Sequence, residues 1–393
     1  MENHLVHAYN QLPIQLERGE GCYVYDTKGN KYLDAYCGIA VTILGHNYAP
    51  VTKTIQNQAA KIIHTSNLVE IPQQMELSNL LVGLFGTDAQ VFFNNSGSEA
   101  VETALKLAHL YGHSKNIDNP KIIVMEGAFH GRTMGCISAG WNPKYQEGFG
   151  PLLPGFVRVK YNDINAIEDA VKADKDIVAV MLEPVQGESG VVVPNTSYLN
   201  EVRLLCDEHK LLMIDDEIQA GMARTGKFFC FEHNEIKPDV VTLAKGLANG
   251  LPIAACIIRK PFCDLFKPGS HGSTFGGNPL SCAAAITTVN EIVSHKFYEN
   301  AARQGAKIIK GLNDALIENP HVKQVRGKGL FIGIELDRPC RDILNIALKH
   351  NILFNIAGTN VMRFLPALNI NDEQAQTIID TVPKIIEEYY AQA

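Results

Sequence analysis

Seven short apolar runs, four to seven residues long and separated by stretches of helical periodicity, narrow the folds open to this chain. They are Ala89–Phe93, Lys121–Met125, Gly155–Tyr161, Ile177–Leu182, Leu211–Ile214, Asp239–Leu243 and Ile253–Ile258. Continuous Val/Ile-rich segments of this length suit strands covered on both faces. Ser98–Tyr111 and Ser197–His209 carry helical patterns between them. Strands that alternate with helices build a mostly parallel sheet with helices on its faces. Upstream, Gly21–Tyr25 and Lys31–Ala35 read as short strands around a Thr27-Lys28-Gly29-Asn30 turn. After about Cys282 the rhythm changes. A long helical region, roughly Ala283–Asn319, precedes strands Gly329–Glu335 and Val361–Phe364 and a last helix from about Asp372. The 393 residues are enough for two domains. The division predicted is a large α/β domain over 46–282 and a smaller α+β domain over 283–393, with an N-terminal segment, 1–45, packing with the small domain.

Charge and cysteine usage exclude several functions. Thirty-five Lys and Arg against 42 Asp and Glu leave a formal charge of −7. A phosphate backbone calls for a basic field, so no nucleic-acid partner is expected. No apolar run approaches the roughly 18 residues of a membrane-spanning helix, so no membrane partner is expected. The start, Met1-Glu2-Asn3-His4, is polar and shows no secretory leader. The nine cysteines are scattered without a C-x-x-C pair, which reads as reduced thiols in a cytoplasmic protein.

In open α/β sheets ligands gather beyond the carboxyl ends of strands. Five segments stand there. Asn94-Asn95-Ser96-Gly97-Ser98-Glu99-Ala100 leads from a strand into a helix, where free N–H groups and the dipole favour an anion; an ordinary capped helix would read the same way. Asp215-Asp216-Glu217-Ile218-Gln219 sets three acids at a strand end. It is a solvated turn, a metal site, or the partner of a protonated ring nitrogen. Lys245, in Thr242-Leu243-Ala244-Lys245-Gly246-Leu247, closes an apolar strand. It either snorkels or, desolvated, serves as an amine nucleophile. Gly127-Ala128-Phe129-His130-Gly131-Arg132-Thr133 offers an aromatic face and a guanidinium. His271-Gly272-Ser273-Thr274-Phe275-Gly276-Gly277-Asn278-Pro279 is a glycine-rich loop with two hydroxyls. Each alone could be a turn. Together they match pyridoxal 5′-phosphate (PLP): a phosphate cradle, an acid for the ring nitrogen, a stacking face and a lysine. Two other patterns carry less. Gly221–Lys227 has P-loop spacing, but Phe228 stands where a Ser or Thr would ligate Mg²⁺. His109 and His113 have helical spacing without a third ligand.

The order N-S-G-S-E-A, A-F-H-G-R-T, E-P-V-Q-G-E, D-E-I-Q, A-K-G and S-T-F-G-G-N-P resembles the class III aminotransferases of PLP-dependent fold type I. The resemblance runs from Arg18-Gly19-Glu20-Gly21 to Arg363-Phe364. It implies a fold type I large domain with a mostly parallel seven-stranded sheet. It also implies roles. Lys245 bonds the cofactor's aldehyde and is the catalytic residue. Asp216 pairs with the pyridine nitrogen, Gln219 sits near the phenolic oxygen, Gly97 and Ser98 hold the phosphate, and Phe129 stacks on the ring. Thr274, with Ser273 beside it, reaches the other subunit's site in a homodimer. Arg132 binds a substrate carboxylate. Arg363 binds the α-carboxylate of glutamate and is neutralised by Glu188 when glutamate is absent. Ser98 and Ser189 depart from the commoner residues of the family. Gly38-Ile39-Ala40-Val41, Gly45-His46, His64-Thr65-Ser66-Asn67-Leu68 and Asn142–Phe149 are most similar to members that act on N2-acetyl-L-ornithine, with 2-oxoglutarate as acceptor, in arginine biosynthesis. Ornithine, succinyl-diaminopimelate and 4-aminobutyrate are alternative donors. Ile39 would give an apolar wall suited to an acylated end. A racemase, an aminomutase or a binding protein of the same fold would keep many of these motifs.

Overall fold

The structure, a computed structural model, describes residues 4–392. Met1, Glu2 and Asn3, where the polar start was read, lie outside the described residues, as does Ala393.

A seven-stranded sheet organises the molecule. Its strands lie in the order Ala89–Asn94, Ala254–Arg259, Val240–Leu243, Leu212–Asp216, Ile177–Leu182, Lys121–Met125, Phe156–Val159. Ala254–Arg259 runs antiparallel to both neighbours, and the remaining pairs are parallel. All seven predicted runs are therefore strands of one sheet, with ends shifted by a residue or two in most. Ile177–Leu182 and Leu212–Asp216 are buried throughout, as strands covered on both faces must be. Helix Gly97–Ser114 packs closely on the sheet at Gly112, where a Cβ would come within 2.5 Å of Pro120.

Two four-stranded sheets flank this core. One joins Leu16–Glu20, Tyr23–Asp26 and Lys31–Asp34 to Ile352–Leu353, so the two ends of the chain share a sheet. The other has the order Val322–Lys328, Phe331–Leu336, Val361–Phe364, Asn355–Ala357. The long helical region predicted over Ala283–Asn319 divides into Pro279–Ser294 and Phe297–Leu316. The break is Lys296, whose φ of 50° cannot continue a right-handed helix. The last helix, Asp372–Ala391, begins where predicted, behind an Asn371–Gln374 capping box.

One buried side chain fastens the third sheet to the first. Arg224 donates from Nη1 to the carbonyls of Leu330 and Pro366. Burial draws its pKa down to about 10. All nine cysteines are buried and unpaired. Among the described residues, no helix is long and apolar enough to cross a membrane.

Candidate active site

The carboxyl ends of the parallel strands open into a cleft of about 360 Å³. Its walls bring together Gly97, Ser98, Phe129, Arg132, Asp216, Gln219 and Lys245. These come from separate loops, so their meeting is a product of strand order.

Lys245 follows strand Val240–Leu243 and opens a short 3₁₀ turn, Lys245–Ala248, at a φ of 32°. A residue held in this region is confined by its surroundings. Gly246 presses on Ile43, with room for no Cβ: one would lie 2.6 Å from Ile43 Cδ1. Part of Lys245 stays open to the cleft. Burial of the rest lowers its pKa, and Arg363 adds to this, while Glu188 and Asp216 act the other way. A lowered pKa makes an amine available as nucleophile and base.

Asp216 ends strand Leu212–Asp216, and alternation along the strand turns it to the cleft while Asp215 faces away. Its Oδ1 accepts hydrogen bonds from Thr242 Oγ1 at 2.9 Å and from the Ile218 amide at 3.2 Å. Its Oδ2 lies 2.7 Å from His130 Nδ1. Burial works against a charge on His130, but the hydrogen bond and charge of Asp216, aided by Glu183, outweigh it and raise the pKa. The carboxylate is thus gripped on both oxygens. The solvated-turn reading of the three acids does not hold, because all three are buried. Glu217 Oε2 and Oε1 accept from the amides of Cys230 and Phe231 at 2.7 and 2.8 Å, and burial lifts its pKa to about 8.

The helix start supplies an anion cradle. Ser96 caps helix Gly97–Ser114, accepting from the Glu99 amide, while Glu99 Oε2 accepts from the amide and Nδ2 of Asn95. A Cβ on Gly97 would stand 2.9 Å from Ile218 Cδ1. Gly131, at a φ of 126°, leaves the space that Ser98 Oγ occupies, 2.2 Å from where a Cβ would be. Ser98 Oγ accepts from the Arg132 amide at 3.1 Å. The Arg132 guanidinium is exposed and lies 3.7 Å from the Tyr145 ring centre and 5.7 Å from that of Phe129.

A second guanidinium reaches the cleft through Gln219. Arg363 is fully buried in strand Val361–Phe364. Its Nη1 donates to Glu188 Oε1 at 2.7 Å and to Gln219 Oε1 at 2.8 Å, and its Nε to Asn355 Oδ1 at 3.1 Å. Nη2 is buried without a partner among the described residues. Burial works against charge on Glu188, but Arg363 outweighs it and lowers the pKa. Gly187 makes room for Gln219, whose Oε1 is 2.2 Å from the position of a Cβ there.

Ser273 and Thr274 are not brought to this cleft. Ser273 Oγ accepts from Asn95 Nδ2 at 3.2 Å, and Thr274 is exposed, lining a separate hollow with His64, Ser66, Asn67 and Leu68. Sequence reasoning also left His130, Thr242, Glu183, Tyr145 and Asn355 without roles. His130, Thr242, Glu183 and Tyr145 stand inside the quoted segments, and Asn355 does not. The available signal was a polar residue at or just past the carboxyl end of an apolar strand: Thr242 in Val240–Leu243, His130 after Lys121–Met125 and Glu183 after Ile177–Leu182.

The donor set fits PLP. The start of helix Gly97–Ser114, where Ser96, Gly97 and Ser98 line the cleft, suits a phosphate, a fixed carboxylate suits a ring nitrogen, and a lysine of lowered pKa suits an aldehyde. Fold and cleft together define a PLP-dependent enzyme, and the family match makes it an aminotransferase. The family model described as "Aminotransferase class-III" matches residues 5–386, and the chain belongs to that family. Among its relatives, the acetylornithine aminotransferase of Nitrosomonas europaea is 44% identical over 384 residues, covering 98% of each chain. The N-acetylornithine aminotransferase structure from Stenotrophomonas maltophilia superposes with a TM-score of 0.85 at 34% identity, over 98% of this chain and 99% of that one. A structure of Toxoplasma gondii ornithine aminotransferase, described as having partial PLP occupancy at its active site, gives a TM-score of 0.95 at 33% identity, over 99% and 93%.

Proposed function

We propose that this enzyme moves the δ-amino group of N2-acetyl-L-ornithine to 2-oxoglutarate, giving N-acetyl-L-glutamate 5-semialdehyde and L-glutamate in the cytoplasm, as a step of arginine biosynthesis. The relatives named for acetylornithine support the donor. The observation that carries the reading is the pair of guanidinium stations at different depths. Arg132 stands exposed on the cleft wall, and Arg363 is buried behind Gln219 with one fork nitrogen on Glu188 and the other unpaired among the described residues.

When bound, PLP supplies an electron sink for the carbon that carries the reacting amine. Gly97 and Ser98 would hold its phosphate at the helix start, Phe129 would lie against its ring, and Gln219 would stand by its phenolic oxygen. Asp216, fixed by His130 and Thr242, would keep the proton on the ring nitrogen. Lys245 Nζ would take the proton from the amine-bearing carbon and return it at the cofactor, acting as base and then acid. For acetylornithine the δ-amine reacts, so its α-carboxylate lies far from the ring, at Arg132. For glutamate the α-amine reacts, so its α-carboxylate lies near Arg363, and its γ-carboxylate reuses Arg132. Glu188 would occupy Arg363 during the first half-reaction and release it for the second. The test is a donor panel with 2-oxoglutarate: acetylornithine, ornithine, succinyl-diaminopimelate and 4-aminobutyrate. The highest kcat/KM is expected for acetylornithine. Preference for one of the others would replace it as donor.

Asp216→Asn removes the charge that holds the ring proton while keeping the size of the side chain. Loss of a charge-assisted contact costs about 1.5–3 kcal/mol. Turnover and cofactor affinity should both fall on the order of tenfold to a hundredfold, read by steady-state rates and PLP titration. An unchanged rate would show that another group holds the nitrogen.

The same reading includes a homodimer with shared sites. It is supported by exposed apolar residues: Leu68, which lines the hollow that holds Thr274, and its neighbours in sequence Ile62, Ile63 and Val69, with Phe275 next to Thr274. An exposed apolar surface of this kind marks an interaction site. Thr274, with Ser273 beside it, would then reach the phosphate of the partner's site. Thr274→Ala and Lys245→Ala chains, each poorly active alone, should recover activity when exchanged into hybrid dimers. One site would then carry both defects and the other neither. Inactive hybrids of demonstrated composition would place the loop's action within its own chain.

A further inference from the structure

We propose that Asp34 is a positioning residue: its carboxylate holds a left-handed turn, Cys37–Ala40, and through that turn sets the cleft wall against which the amino donor's chain lies. The inference rests on the aminotransferase reading of Lys245.

The turn is unusual for L-residues. Cys37, Gly38, Ile39 and Ala40 have φ values of 51°, 60°, 65° and 62° in succession. Only glycine visits this region freely, and left-handed residues normally occur singly. Three of these four have side chains, so something outside the turn must hold it. Asp34 is placed to do so. Its Oδ1 accepts from the amides of Tyr36 at 3.1 Å and Cys37 at 2.8 Å, and its Oδ2 lies 2.7 Å from His46 Nε2. The carboxylate therefore ties the start of the turn to His46, six residues beyond its end.

Two parts of the site meet at this segment. On one side, Asn249, from the turn that begins at Lys245, accepts from the Leu44 amide at 2.8 Å and donates to the Gly45 carbonyl at 3.1 Å. Ile43 packs against Gly246, and Val41 lines the cleft with Lys245. On the other side, the Ala35 and Ile43 carbonyls accept from the amides of Leu365 and Leu368, just beyond Arg363. Arg363 has supports of its own in strand pairing and in Glu188, Gln219 and Asn355. Val41 directly follows the turn, and its amide bonds back to Cys37 across it. Loosening the turn should therefore disturb the donor wall more than the glutamate station.

Half-reactions of the PLP-loaded enzyme test this, with acetylornithine and glutamate measured separately. Any other long donor that the wild-type enzyme turns over can replace acetylornithine, so a wrong choice of donor leaves the test intact. Asp34→Ala is expected to raise the half-saturating concentration of the long donor about tenfold or more. The maximal rate, the glutamate half-reaction and the cofactor's visible absorption should change by less than about threefold, because the contacts of Lys245 and Arg363 remain. Asp34→Asn keeps an acceptor at Oδ1 and should bind the donor like wild type. Ala40→Gly, added to Asp34→Ala, should recover donor binding in part, since glycine takes a positive φ without steric cost. If Asp34→Ala alone does not fold, the double variant carries the test: a folded enzyme with a donor-selective defect supports the proposal, and an unfolded one overturns it. Unchanged donor saturation in Asp34→Ala, equal losses for donor and glutamate, failure of Asp34→Asn to rescue, or no recovery with Ala40→Gly would each overturn it.

Discussion

Lys245→Ala should abolish transamination while the protein stays folded. Removal of a positioned acid–base group alone costs about 10²–10⁴-fold in rate. Here the same amine is also the group proposed to bond the cofactor's aldehyde, so the combined loss should exceed that range. The fold should survive because the side chain opens into a cleft, and the packing of this turn comes from its neighbours, Gly246 against Ile43 and the buried Leu247 and Ala248. Rates of the purified variant, with thermal unfolding as control, check this. Turnover retained in a preparation free of wild-type enzyme would remove Lys245 from the chemistry.

Arg363→Lys should divide the two halves of the reaction. A lysine cannot reproduce the planar fork that meets a carboxylate through two nitrogens. The Arg363 fork has one nitrogen on Glu188 and Gln219, and the other has no partner among the described residues. Loss of a charge-assisted contact of this kind costs about 1.5–3 kcal/mol. The glutamate half-reaction should therefore lose on the order of tenfold to a hundredfold in apparent affinity, and the acetylornithine half-reaction much less. Arg132→Lys should weaken both, since both substrates are assigned a carboxylate there. Equal slowing of the two halves by Arg363→Lys would contradict the division of labour between the two arginines.

How much of this was legible in the sequence depended on the physics of each element. The central strands were readable because both faces are covered, which forces continuous apolar runs such as Ile177–Leu182. Nothing in such a run encodes direction, so the reversal of Ala254–Arg259 appeared only in its pairing. Strands Leu16–Glu20 and Val322–Lys328 were missed because they lie at sheet edges and are largely polar, LERGE and VKQVRGK. Ile352–Leu353 and Asn355–Ala357 are too short to leave a period. The cleft residues were legible because each follows a strand, where ligands collect. Their supports were not. His130 reaches Asp216 across 86 positions of sequence, and Asn355 reaches Arg363 through strand pairing. Such contacts depend on strand order and register, which local pattern does not specify. The left-handed turn at Cys37–Ala40 was invisible for another reason: only one of its four residues is glycine.

In the proposed function one cleft carries out two separable half-reactions, with acetylornithine first and 2-oxoglutarate second. The most direct measurement mixes the PLP-loaded enzyme with N2-acetyl-L-ornithine and no acceptor, following the cofactor's visible absorption and the aldehyde released. The absorption should be lost with one equivalent of N-acetyl-L-glutamate 5-semialdehyde per site. Later addition of 2-oxoglutarate should restore the absorption with one equivalent of glutamate. Absorption unchanged by acetylornithine, or aldehyde formed only when the acceptor is present, would contradict it.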